Sequence, residues 1–281
     1  MIRKIDDLEM NNDIIEMLND FSELREVEGI LLAGSRAVKT NDKFSDYDVY
    51  VYLSKDISVD ERRKITDKYC SYMELDNRFW ETEDDVTLKE GNVQVEIIYR
   101  NLDWINDSLD RTIVKCEADT GYTTCFWSNI KNSVILYDKA GKLNKLQDEC
   151  AVPYPKELKE NILKKNYPLL KSKMPAYYYQ IEKALKRDDF ISVNHRIAAF
   201  FASYFDIIFA VNEMLHPGEK KLLKIIRERD LRVPVDMDLN VGNILKFSAA
   251  GDFKILEEID LLINNLNAFL KKEGLWNEWM K

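Results

Sequence analysis

The stretch LLAGSRAVKTNDKFSDYDVYVYL, residues 31–53, joins two apolar runs through a short polar connection. The first run ends in Gly34 and Ser35, and the second begins with the D-x-D pair Asp46 and Asp48. The second run is rich in β-branched and aromatic residues, and the first is a short apolar run closed by glycine, so we predict that each is a strand. The stretch therefore predicts a Gly-Ser pair at one strand end and two carboxylates at the start of the next strand.

These residue types suit phosphate and metal binding. Residues i and i+2 of a strand point to the same side, so Asp46 and Asp48 can both reach a shared pair of Mg²⁺ ions. Such ions also bind the oxygens of a nucleoside triphosphate during phosphoryl transfer. Gly34 lets a phosphate approach the backbone N–H groups closely, and the Ser35 hydroxyl adds a donor. One strand end would hold the phosphates and the other the metal ions that bind them.

Further elements are predicted on either side of this stretch. DDLEMNNDIIEMLNDFSEL predicts a helix, and SVDERRKITDKYCSYMEL predicts a second helix with Ser58 as its N-cap. DVTLKE and VQVEIIYR flank Gly91 and Asn92 and predict a hairpin. In the second of these runs Glu96 shares a face with Gln94 and Ile98, where it could serve as a third metal ligand or as a general base.

Residues 80–85 contain Trp80 and a group of acidic residues. The acids are Glu81, Glu83, Asp84 and Asp85. They could bind a cationic acceptor, or they could form an acidic surface turn.

From about residue 141 the pattern becomes helical. The predicted helices are KELKENILKKNYPLL, PAYYYQIEKALKRDDF, SVNHRIAAFFASYFDIIFAVNEML, GEKKLLKIIRERD and DFKILEEIDLLINNLNAFLKKEG. Pro153 and Pro155 mark the boundary. We therefore predict an α+β fold, with a mixed sheet flanked by helices in residues 1–150 and an all-α bundle in residues 151–281.

Composition excludes several classes of protein. Four scattered cysteines and two histidines do not suggest a zinc site or a disulfide framework. No run of about 18 apolar residues predicts a membrane span, and the acidic N-terminus does not resemble a signal peptide, so a cytoplasmic protein is expected. Residues 1–150 hold 32 acidic and 20 basic side chains, against 18 and 21 in residues 151–281. This acidic front half argues against nucleic-acid binding and suits divalent metal ions and a cationic small substrate.

The motif GSRAVKTNDKFSDYDVYVY resembles the signature of the polymerase-β-type nucleotidyltransferase superfamily, in which G-S is followed after ten residues by D-x-D. VQVEIIYR occupies the place of the third acidic strand of that family. The resemblance implies that Gly34 and Ser35 hold the β- and γ-phosphates and that Asp46 and Asp48 ligate Mg²⁺. Glu96 would be the third carboxylate, as metal ligand or as general base, where the family often has aspartate.

A nucleotidyltransferase domain followed by a helical substrate-binding domain is similar to the antibiotic nucleotidyltransferases that act on aminoglycosides and lincosamides. The resemblance implies Mg-dependent transfer of a nucleoside monophosphate, with AMP from ATP as the leading expectation, to a hydroxyl of such a small molecule, releasing pyrophosphate. The acceptor would lie between the domains. A protein or tRNA acceptor, or a noncatalytic nucleotide-binding regulator, are the alternatives.

Several basic residues are weaker candidates. Arg36 could contact phosphate or be solvated. Lys220, close to the helix punctuation at Pro217 and Gly218, could reach the triphosphate or lie in a solvated basic turn. Asp42 and Lys43, between the two motifs, are expected to shape the loop.

Overall fold

The computed structural model of the chain describes residues 2, 10–37 and 46–280. Asp42 and Lys43 lie outside the described residues, and so does the start of the predicted N-terminal helix.

The chain divides into two compact units. The first unit comprises Met1–Arg111 and Phe126–Pro153, and the second comprises Thr112–Cys125 and Tyr154–Lys281. The predicted domains are residues 1–150 and 151–281. The main difference between these domains and the two units is that residues 112–125 belong to the second unit. We describe each unit separately.

The first unit is built on a mixed sheet, as its sequence predicts, and the sheet has six strands. The strands are β1 (Val27–Ala33), β2 (Tyr47–Leu53), β3 (Cys70–Asn77), β4 (Thr82–Leu88), β5 (Gln94–Asn101) and β6 (Val134–Asp138). Their order across the sheet is β3-β4-β5-β2-β1-β6. Strands β2 and β5 pair in parallel, and the other neighbouring pairs are antiparallel.

The helices of the first unit are α1 (Asn12–Ser22), α2 (Gly34–Ala37), α3 (Val59–Tyr69), α4 (Leu102–Leu109), α5 (Cys125–Asn132) and α6 (Lys142–Glu149). The first residue of α5 is grouped with the second unit. Ser58 caps α3 as predicted: its side chain accepts a hydrogen bond from the backbone of Glu61, whose carboxylate in turn accepts from the backbone of Ser58.

The alternation of β2 and β5 separates a core face from a second face of the sheet. On β2 the core residues are Tyr47, Val49, Val51 and Leu53, and on β5 they are Val95, Ile97 and Tyr99. Helices α1 and α3 contribute residues to the same core. Successive side chains of a strand alternate between faces, so the intervening residues lie on the opposite side. We call that side the Asp48 face; its members on these two strands are Asp48, Tyr50, Tyr52, Gln94, Glu96, Ile98 and Arg100.

The predicted hairpin is confirmed by the antiparallel pairing of β4 with β5. The predicted extension of α3 is wrong, because the helix ends at Tyr69 and the chain continues as β3. The cause is nonlocal: β3 pairs with β4, whose residues follow later in the chain. Sequence periodicity reports local preference and cannot detect such a partner.

In the second unit, residues 112–125 and 154–280 contain helices and no strand. The helices are α7 (Lys156–Tyr167), α8 (Tyr177–Leu185), α9 (Phe190–Val211), α10 (Leu222–Glu228), α11 (Met237–Ala250) and α12 (Lys254–Lys272). Helix α9 ends at Val211 and not near Leu215, and α10 begins at Leu222, after Glu219. Helix α11 was not among the predicted segments.

A buried polar network holds part of residues 112–125 within the second unit. Asp206 of α9 is 1% exposed and accepts hydrogen bonds from the backbone N–H of Thr123 (3.2 Å) and from its hydroxyl (2.7 Å). Asn166 of α7, also buried, donates to Asp206 (3.2 Å) and accepts from the backbone of Gly121 (2.9 Å). The buried side chains of Asp206 and Asn166 thus both find partners, which fixes this segment against α7 and α9.

Within the described residues, no helix is long and apolar enough to span a membrane.

Candidate active site

The parallel pairing of β2 and β5 places Asp48 directly beside Glu96. Both side chains are half-buried and lie on the Asp48 face. Neighbouring strands are about 4.8 Å apart, and two carboxylates at that spacing favour a shared cation. Asp46, also half-buried, comes two residues before Asp48, just ahead of β2.

Gly34 adjoins the Asp48 carboxylate. It opens α2 directly after β1, and the last residue of β1, Ala33, pairs with Asp48. Its φ of 64° lies in the left-handed region, and a methyl group in place of its hydrogen would overlap Oδ2 of Asp48. Glycine is therefore required here for backbone conformation and also for space. The two halves of the G-S…D-x-D motif meet at this point.

Arg36 ties α2 to the start of β2. Its Nε donates to the backbone oxygen of Asp46 at 2.8 Å, and its guanidinium carbon lies 3.9 Å from the ring centre of Tyr47. These contacts hold the two motifs together. The predicted contact of Arg36 with phosphate stays a prediction.

Two of the predicted acids meet the requirements of a magnesium ion. Within residues 10–37 and 46–280, no group of three or more His, Cys, Asp or Glu side chains is arranged to hold a metal. Magnesium in phosphoryl-transfer sites is bound through one or two carboxylates, with water and substrate phosphates as further ligands. Asp48 and Glu96, two adjacent hard oxygen donors, fit that requirement. The full predicted set of Asp46, Asp48 and Glu96 stays a prediction.

The remaining predicted site residues lie in different surroundings. Ser35 is half-buried in α2, next to Gly34. Lys220 belongs to the second unit, where it is exposed in the connection between α9 and α10. A nucleotide-binding role for either residue stays a prediction.

The chain matches one family model and is similar to a solved structure. A family model described as "Domain of unknown function (DUF4037)" matches residues 125–222, about a third of the chain. The chain is similar to the crystal structure of a nucleotidyltransferase-like protein from Exiguobacterium sibiricum 255-15, with 10% sequence identity and a TM-score of 0.42. That alignment covers 92% of this chain and 73% of the other. No match to a curated protein was found.

Sequence reasoning missed an aromatic residue beside the two acids. Tyr50 follows Asp48 by two residues on the same face, and its ring centre lies 4.1 Å from the guanidinium carbon of Arg100. Arg100 is 6% exposed and forms two 2.6 Å hydrogen bonds with Glu81. Its guanidinium carbon also lies 5.1 Å from the ring centre of Phe126. The two-residue alternation of β2 is the signal that could have identified Tyr50.

Of the acids after Trp80, Glu83, Asp84 and Asp85 lie in β4 and are divided between its two faces, so they do not form the surface turn that was one of the two alternatives. Asp84 is fully buried on the core face, where it pairs with Arg62 at 2.6 Å and accepts from the Tyr99 hydroxyl at 2.8 Å. Asp85 lies on the Asp48 face, opposite Glu96, and Glu74 of β3 lies opposite Asp85. Asp84 is therefore a structural residue.

Proposed function

We propose that the protein is a Mg-dependent nucleotidyltransferase that moves a nucleoside monophosphate, AMP from ATP in the leading case, to a hydroxyl of a small molecule and releases pyrophosphate. One arrangement carries this proposal: Gly34 leaves room for the Asp48 carboxylate, and the parallel register sets Glu96 beside it. A carboxylate pair next to a glycine at a strand end suits a metal-bound triphosphate.

Different residues of the first unit would bind the metal and the phosphates. Asp48 and Glu96, together with Asp46, would hold the metal, and the backbone at Gly34 and Ser35 would receive the phosphates. When bound, Mg²⁺ would neutralise charge on the triphosphate and lower the pKa of the attacking hydroxyl.

The proposed reaction is an in-line displacement at the α-phosphorus. The acceptor oxygen forms a bond to that phosphorus, and the bond from phosphorus to the bridging oxygen of pyrophosphate breaks. The hydroxyl proton passes to a base, for which Glu96 is the leading candidate among the residues of the site. Holding acceptor and nucleotide in line would supply much of the rate enhancement.

The surroundings of the site favour a cationic acceptor, such as an aminoglycoside or a lincosamide. Beyond Glu96 the Asp48 face continues with Asp85 and Glu74. Asp85 accepts a hydrogen bond from Asn77 at 3.2 Å, and Glu74 accepts one from Tyr72. These neutral donors leave the negative charge in place, so an approaching ammonium group would be attracted.

The deciding experiment measures pyrophosphate release from each of the four nucleoside triphosphates with Mg²⁺, with and without aminoglycosides, lincosamides and tRNA. Wild type is compared with Asp48→Asn, which keeps the shape of the side chain and removes its charge. Asp67→Asn serves as the control, because Asp67 is exposed on α3, the helix that packs on the core face of the sheet.

We expect acceptor-dependent release in wild type and in Asp67→Asn, and its loss in Asp48→Asn. Release that requires tRNA would replace the small-molecule acceptor by a nucleic acid. Binding of Mg-ATP with no release in any mixture would overturn catalysis and favour a nucleotide-binding regulator.

A further inference from the structure

Helix α11 of the second unit exposes apolar side chains on its outer face. Its inner face is buried, and hydrogen bonds to Glu258 of α12 and to Asn194 of α9 hold it in place. On the outer face Leu239 is 60% exposed and Leu245 is 54% exposed. A surface helix usually carries polar and charged side chains on its outer side. The outer face of α11 is therefore suited to a contact with another molecule.

Gly242 lies at the centre of this outer face. It is exposed in the interior of the helix, where glycine is less favourable than alanine. Its φ is not in the left-handed region, and among the described residues nothing outside its own helix lies within 4 Å of the position that a Cβ would take. Neither backbone conformation nor a neighbouring side chain thus requires glycine here. A missing side chain at this point would let a second helix approach closely.

The residues of the outer face are placed symmetrically about Gly242. Leu239 and Leu245 lie three residues before and after it, and Asp238 and Lys246 lie four residues before and after it. At about 100° per residue, all four side chains lie within about 60° of the direction of Gly242. A face of this kind can pack against a copy of itself related by a two-fold axis.

Charge complementarity favours a second copy of the chain in the antiparallel orientation. If two α11 helices cross antiparallel at Gly242, Asp238 of one copy lies at the same level as Lys246 of the other. A parallel pair would instead set like charges at the same level. Both contacts of Arg227 with Asp238 are made to Oδ2, so Oδ1 is left to accept from the lysine.

We propose that the outer face of α11 is a self-association surface, on which two copies of the chain form a two-fold dimer with their α11 helices antiparallel and crossing at Gly242. Leu239 and Leu245 of both copies lose contact with water there, and two pairs of Asp238 with Lys246 flank the apolar centre. One helix from each copy gives a small contact, which is typical of a weak and reversible dimer. This proposal does not rest on the proposed nucleotidyltransferase activity.

The test measures the association of the full-length protein by analytical ultracentrifugation over a range of protein concentrations. Gly242→Gln adds a side chain at the proposed crossing point, and Lys246→Gln removes the charge that would face Asp238. Ala268→Gln is the matched control, because it adds the same side chain at an exposed small residue of α12. The melting temperature of each variant is recorded at low concentration, where the monomer predominates.

We expect wild type and Ala268→Gln to form dimers with equal affinity. Gly242→Gln should raise the Kd of the dimer by roughly tenfold or more, because the added side chain holds the helices apart. Since glutamine favours a helix more than glycine does, the melting temperature of the Gly242→Gln monomer should not fall. Lys246→Gln should weaken an antiparallel dimer, whereas it would tighten a parallel one by removing a contact between like charges.

Three results would overturn the proposal. The first is a wild-type protein that remains monomeric at every concentration. The second is a dimer that Gly242→Gln leaves unchanged, or that Ala268→Gln weakens equally. The third is tighter association of Lys246→Gln than of wild type, which would contradict the antiparallel arrangement.

Discussion

At Gly34 the absence of a side chain is itself a structural requirement. The residue has φ of 64°, and the space that a Cβ would fill is taken by Oδ2 of Asp48. A left-handed conformation costs a residue with a side chain about 1–2 kcal/mol, and displacing a carboxylate would add to that.

Gly34→Ala is therefore expected to lower both melting temperature and activity. Gly141→Ala is the matched control, since Gly141 also has a positive φ, 74°, but nothing lies within 4 Å of its missing side chain. Both variants should lose about 1 kcal/mol or more through their backbone. Only Gly34→Ala should lose pyrophosphate release, and equal activity of the two variants would show that the contact with Asp48 is unimportant.

Asp84 and Asp85 are adjacent in sequence and differ in burial. We expect Asp84→Ala to destabilise the protein by about 3–5 kcal/mol, because it leaves Arg62 buried without its 2.6 Å partner. Asp85→Ala, on the half-buried opposite face, should change stability by less than about 1 kcal/mol. Urea denaturation of both variants measures the difference, and similar losses would contradict a structural role for Asp84.

At the scale of elements, residues 123–125 of the second unit contact two buried titratable groups. Thr123 donates to Asp206 of α9. Thr124 accepts from the backbone N–H of His216, and the sulfur of Cys125 lies 3.5 Å from Nδ1 of His216. Burial raises the pKa of Asp206 to about 7 and lowers the pKa of His216 to about 4.

The two shifts have opposite effects on stability. The folded pKa of Asp206 lies above the reference value of 3.8. The contribution of Asp206 to the free energy of unfolding is therefore complete below pH 3.8 and is lost as pH rises through about 7. For His216 the folded pKa lies below the reference value of 6.5, so its contribution is present above pH 6.5 and is lost as pH falls through about 4. Between about pH 4 and pH 7, the pH-dependent changes in the free energy of unfolding that come from Asp206 and His216 partly cancel.

The variant Asp206→Asn should reveal the effect of His216 on the pH dependence of the melting temperature. With the carboxyl group gone, only the loss from His216 remains, and the melting temperature should fall more steeply in the variant than in wild type between pH 7 and pH 5. Asp238→Asn is the control: Asp238 is a partly exposed residue of α11 that pairs with Arg227, and the variant should follow the wild-type slope. Parallel profiles for wild type and Asp206→Asn would show that Asp206 does not titrate in this range.

At the scale of the whole molecule, charge is divided unevenly along the sequence. Residues 1–150 hold 32 acidic and 20 basic side chains, whereas residues 151–281 hold 18 and 21. If the acceptor is cationic, this field would assist its capture, and salt would weaken the effect.

We expect the KM for aminoglycosides to rise between 0.1 M and 1 M salt, as the Debye length falls from about 10 Å to about 3 Å. Acceptors that carry more ammonium groups should show the larger rise. A KM that does not depend on salt would remove electrostatic attraction from the account of acceptor choice.

Local patterns in the sequence determined much of the first unit. The alternation of β2, the N-cap at Ser58 and the hairpin between β4 and β5 follow from residues close together in the chain. The prediction that Glu96 lies apart from the apolar face of its strand also rests on local alternation, and the structure agrees. Such features are set by side-chain direction and by capping, which act over a few residues.

Only the tertiary structure decided which distant segments meet. It paired β2 with β5 in parallel and so set Asp48 beside Glu96; it converted the end of a predicted helix into β3; and it buried Asp84 against Arg62. Each outcome depends on strand pairing or burial between segments far apart in sequence. The free energy of such contacts arises when the partners come together, so no short window of the sequence contains it.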